Sequence, residues 1–126
     1  MTDTALQKIL VSIDAYMKNI ANEMNISSTV MTEDFNRFFR TLASSHYVNA
    51  RMLSLLGSLR DELAAEGADV REIIAAELHF YEQKLLSLPS IPQTTCFMHN
   101  VAELLDREVN HHMYVRLKKF SQMCGV

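Results

Sequence analysis

The chain reads as an all-α helical bundle of four to five mostly antiparallel helices with a long second helix. Three observations lead there. Its 126 residues include only 3 Gly and 2 Pro, too few breaks for many short strands. Apolar residues make up 48% and charged residues 21%, enough for a packed core and unlike a disordered tail. Apolar positions recur every three or four residues over long stretches, which is the period of an amphipathic helix. At this length one domain spanning 1–126 is expected.

The first helix is expected from about Thr4 to Met24, capped by Asp3 or Thr4. Leu6, Ile9, Leu10, Ile13, Met17, Ile20, Ala21 and Met24 form its apolar stripe. The polar string Asn25-Ile26-Ser27-Ser28-Thr29 reads as a connector. A second, long helix is expected from Thr32 to about Ala65, with Glu33 and Asp34 in its first turn to suit the macrodipole. Phe35, Phe38, Phe39 and Leu42 make one apolar face of it. Val48, Met52, Leu55, Leu56, Leu59 and Leu63 make another, rotated by roughly 80° at ~100° per residue. The shift falls at Ser44-Ser45.

Glu66-Gly67-Ala68-Asp69 is a stop followed by a start. Gly67 suits the position after a helix end, and Asp69 with Glu72 makes a capping pair for the next one. The third helix is expected from Val70 to about Ser87, with Val70, Ile73, Ile74, Leu78, Tyr81, Leu85 and Leu88 inward and Pro89 ending the run. The last begins near Thr94 or Thr95 and closes at Gly125. Its stripe is Met98, Ala102, Leu105, Val109, Met113, Leu117, Phe120 and Met123.

Charge and composition narrow the function classes. The net charge of -3 offers no basic field for nucleic acid, so no DNA is expected. The apolar runs are far too short to span a membrane, and the polar start Met1-Thr2-Asp3-Thr4 lacks the form of a signal peptide. A cytoplasmic location is the expectation. Cys96 and Cys124, on one helix, lie roughly 40 Å apart at ~1.5 Å per residue and cannot bridge. They read as free thiols, and no metal or cofactor is called for.

One string carries candidate chemistry: Arg107-Glu108-Val109-Asn110-His111-His112-Met113-Tyr114. Its R-x4-H-x-Y spacing resembles the motif of HEPN-type ribonucleases, small all-α proteins whose site is completed by dimerisation. The resemblance implies that Arg107 would hold the phosphate, His112 would act as acid or base, and Tyr114 would position the RNA. RNA is a partner under this reading alone. The chain departs from the pattern at Glu108, where the family carries Asn, Asp or His. On an unbroken helix Arg107 and His112 also stand roughly 140° apart around the axis. The plainer reading puts Arg107, His111, Tyr114 and Lys118 on a solvated face over a packed Val109 and Met113. Glu108-x-x-His111 has the spacing of half a di-iron site, but no second Glu-x-x-His completes it.

A second candidate is His46, in Ser44-Ser45-His46-Tyr47-Val48-Asn49-Ala50. A bundle histidine followed by polar and small residues is similar to a histidine phosphotransfer module. It departs from that family at Asn49, where Lys is usual, and at Ala50, where Gly is usual. His79 and His99 have no partners at ligand spacing.

The leading expectation is an interaction protein, a regulator, adaptor or chaperone that binds a protein partner or a second copy of itself. The expected contact face is Val48, Met52, Leu55 and Leu59, because apolar residues on two sides of the second helix exceed what a small monomer buries.

Overall fold

A computed structural model describes the backbone of residues 3–33, 35–87 and 97–125, and the side chains of 4–24, 45–87 and 103–125. Four helices and no strand occur among the described residues: α1 Asp3–Glu33, α2 Phe35–Ala64, α3 Val70–Ser87 and α4 Phe97–Cys124. The two faces proposed for the second helix fall differently: the Val48–Leu63 stripe is described, whereas the side chains of Phe35, Phe38, Phe39 and Leu42 lie outside the described residues, as do the linker 88–96, Cys96, and the side chains of Met98 and His99.

The connector expected at Asn25–Thr29 is corrected: α1 runs through it to Glu33. Ser, Thr and Asn each disfavour a helix interior by at most about 0.7 kcal/mol relative to Ala. With no Gly or Pro in the segment, four such residues weaken the helix without ending it.

The α2–α3 corner follows the local chemistry. Gly67 takes a φ of 77°, the left-handed conformation that costs a glycine nothing. Asp69 caps α3, its Oδ1 accepting the backbone N–H of Glu72 at 3.2 Å. At the far end of α4, Gly125 also has a positive φ of 70°. Its carbonyl accepts from Arg71 Nη2 at 2.8 Å, which answers one of the carbonyls a helix end leaves unpaired and ties α3 to α4.

α1 packs mainly on α2 and α3 mainly on α4, while α4 also lies against α2 and α1. The core comes from one stripe of each helix: Ile9 and Ile13; Met52, Leu56, Leu59 and Leu63; Val70, Ile74 and Tyr81; Val109, Met113, Leu117 and Phe120. Polar ties flank it. Arg60 Nε donates to Asp14 Oδ1 at 2.6 Å between α2 and α1. Tyr47 Oη donates to Asp106 Oδ1 at 2.8 Å between α2 and α4. That hydrogen bond, with burial and the Asp106 charge behind it, raises the phenol pKa of Tyr47. No helix among the described residues is long and apolar enough to cross a membrane.

Candidate functional site

Three helices enclose a cleft of about 420 Å³, within the range of small-ligand sites. Each contributes one face at helical spacing. Tyr16, Asn19, Ile20 and Glu23 come from α1; Ser45, Val48, Asn49 and Met52 from α2; Glu108, His112 and Arg116 from α4. Ile20, Val48 and Met52 supply an apolar floor. Everything else in the lining can hydrogen-bond or carry charge, apart from the ring face of Tyr16.

The rim is internally organised. Asn49 Nδ2 donates to Glu23 Oε2 at 3.4 Å. His112 Nε2 and Glu108 Oε1 lie 3.5 Å apart, one helical turn from each other. Arg116 stacks on the Tyr16 ring, with its guanidinium carbon 3.9 Å from the ring centre, and Lys119 Nζ donates to Tyr16 Oη at 3.2 Å. On its inner side Tyr16 meets the buried Phe120, ring centres 6.4 Å apart. The lining carries two carboxylates, Glu23 and Glu108, and one guanidinium, Arg116.

The structure separates the residues of the R-x4-H-x-Y string. His112 lines the cleft and Arg107 does not; the cation beside His112 is Arg116, four residues on. Tyr114 turns elsewhere and accepts from Lys118 Nζ at 3.2 Å. Val109 and Met113 are buried, at 2% and 1% exposure, as the plainer reading of the string has it. The His111 and His112 rings are 6.2 Å apart. No group of three or more His, Cys, Asp or Glu that could hold a metal occurs among the described residues. Cys124 is a free, buried thiol.

His46 is half-buried. Its Nδ1 is fully enclosed and meets no hydrogen-bond partner among the described residues.

The expected contact face is corrected. Val48, Met52 and Leu59 are already buried in the single chain, at 6%, 4% and 4% exposure, and Leu55 packs partly against the same core. α1 and α4 both pack against α2, and the burial of these side chains is met within the single chain.

Sequence reasoning missed Tyr16, Asn19, Glu23, Asn49 and Arg116. No spacing rule joins positions on three helices, and only the fold brings them together. Comparison of the chain with models of known families, with curated proteins and with solved structures finds no match.

Proposed function

We propose that this chain is a binding protein, a cytoplasmic helical-bundle regulator or adaptor, and that the cleft between α1, α2 and α4 takes a basic side chain of a protein partner. The observation that carries the reading is the cleft's layout: an apolar floor under a rim with two carboxylates. A Lys or Arg side chain has the matching form, a methylene stem and a charged head. The stem would lie on Ile20, Val48 and Met52, and the head would reach Glu23 or Glu108.

Mostly antiparallel packing belongs to the same proposal. The pairs Asp14–Arg60, Met17–Gly57 and Glu23–Asn49 run in opposite numerical order on α1 and α2, which supports that arrangement for this pair of helices. A ribonuclease reading would have to use Arg116 in place of Arg107, or an Arg107 brought in by a second chain.

The test is an NMR titration with three short blocked peptides, identical except for a central Lys, norleucine or Glu. The Lys peptide should shift the side-chain amides of Asn19 and Asn49 and saturate. The norleucine peptide should bind more weakly and the Glu peptide not at all. Preference for the Glu peptide, or shifts with none of the three, would sink the proposal.

A further inference from the structure

The outer face of α3 carries a feature that neither the core nor the cleft uses. Phe80 is 51% exposed, an unusual state for a large aromatic ring. It borders a shallow hollow of about 430 Å³ lined by Ala76, His79, Phe80, Gln83, Lys84 and Ser87. Glu72, Ala76, Phe80 and Lys84 are all exposed. They follow each other every four residues, so they form a single ridge on the helix surface.

The order along this ridge is acidic, small, large, basic. Read backwards against itself, the ridge is complementary. If two copies of α3 cross antiparallel about a twofold axis near position 78, each Phe80 meets the partner's Ala76. Each Glu72 then meets the partner's Lys84. The large side chain finds the small one and the acid finds the base, twice over, by symmetry alone. That is the form of an isologous contact. Packing of two four-residue ridges is also the commonest way helices cross, and the Ala76 side chain is small enough to let the axes approach.

We propose that the protein forms a homodimer through this face of α3, with Phe80 seated over the partner's Ala76 and Glu72 paired with the partner's Lys84. In the single chain Lys84 Nζ rests 5.3 Å from the centre of its own Phe80 ring. On dimerisation it moves off that ring to the partner's carboxylate. The proposal is independent of the cleft.

Light scattering and sedimentation equilibrium over a range of concentrations test it, with a charge swap as the decisive step. The wild type should be a dimer whose dissociation is visible on dilution. Phe80→Ser should be monomeric with unchanged helical circular dichroism, since the ring is outside the core. Val11→Ser removes another large exposed side chain, 65% accessible on α1, and should leave the dimer intact. Glu72→Lys and Lys84→Glu should each weaken the dimer about tenfold, because the charge pair becomes repulsive at both symmetric positions while the Phe80–Ala76 contact is kept. Mixed together, the two single variants should form a heterodimer, in which each Lys again faces a Glu. A wild type that stays monomeric at all concentrations overturns the proposal. So does a mixture that fails to associate, or equal sensitivity to Val11→Ser and Phe80→Ser, which would mean unspecific adhesion.

Discussion

The guanidinium carbon of Arg116 lies 3.9 Å from the centre of the Tyr16 ring. This cation–π contact joins α4 to α1 and closes one end of the cleft with a positive charge. Such a contact contributes about 0.5–1 kcal/mol at an exposed site. The same charge opposes any cation that enters beside it. Arg116→Gln is therefore expected to lower stability by about 0.5–1 kcal/mol in urea denaturation while tightening binding of the Lys peptide. Weaker Lys-peptide binding by this variant would show that the cleft does not select cations.

The burial of Val48, Met52 and Leu59 changes what a charge on α2 should do. An uncompensated carboxylate in a core costs several kcal/mol, a large share of the ~5–15 kcal/mol that holds a domain together. Met52→Asp should therefore abolish the cooperative thermal transition and most of the helical circular dichroism. Leu56→Ala, at a site with 0% exposure, should cost about 2–5 kcal/mol by leaving a cavity and should leave the fold standing. A soluble, fully helical, merely monomeric Met52→Asp variant would return this face to the surface.

How much of this was legible in the residues differs by feature. The stripe Val109, Met113, Leu117 and Phe120 could be read directly, because one helical period sorts its own inside from outside. So could the α2–α3 corner, where Gly67 and Asp69 announce themselves by backbone chemistry. The stripe from Val48 to Leu63 was visible too, but periodicity says only that a face is covered, not by what. A face covered within the chain and one covered by a second molecule show the same period. The cleft was invisible for a different reason: Tyr16 and Arg116 are a hundred positions apart, and no local rule couples them. The ridge Glu72, Ala76, Phe80 and Lys84 lay in plain view at four-residue spacing. Its exposure, however, depends on which face of α3 the other helices cover, and that is set by the fold and not by the period.

Gly57 sits inside α2 with no positive φ. A Cβ placed there would meet Met17 Cε at 3.5 Å, an ordinary contact distance. Glycine in a helix interior costs roughly 0.8–1 kcal/mol relative to alanine. Gly57→Ala should therefore stabilise the protein by about 0.5–1 kcal/mol, read as a higher urea midpoint with an unchanged slope. A loss of stability would mean that α1 and α2 approach each other more closely than this geometry allows.

Glu77 provides a pH-dependent prediction with an unusual sign. It is half-buried on α3, and its carboxyl pKa is raised above the usual 4.5, first by burial and then by the Glu62 charge. A raised folded-state pKa means that the folded protein holds this proton to higher pH than the unfolded chain does. Its contribution to stability is complete below about 4.5 and is lost as pH rises through the folded-state value. At neutral pH the ionised side chain is therefore a burden on the fold. Glu77→Gln keeps the shape and cannot ionise, so it should raise the melting temperature at pH 7. The gain should shrink as pH falls toward 4.5, where wild-type Glu77 becomes neutral too. Melting curves of both proteins at pH 7, 6, 5 and 4.5 check this. A destabilised Glu77→Gln at pH 7 would instead mean that the ionised carboxylate is held by a favourable partner whose loss outweighs the relief from burial.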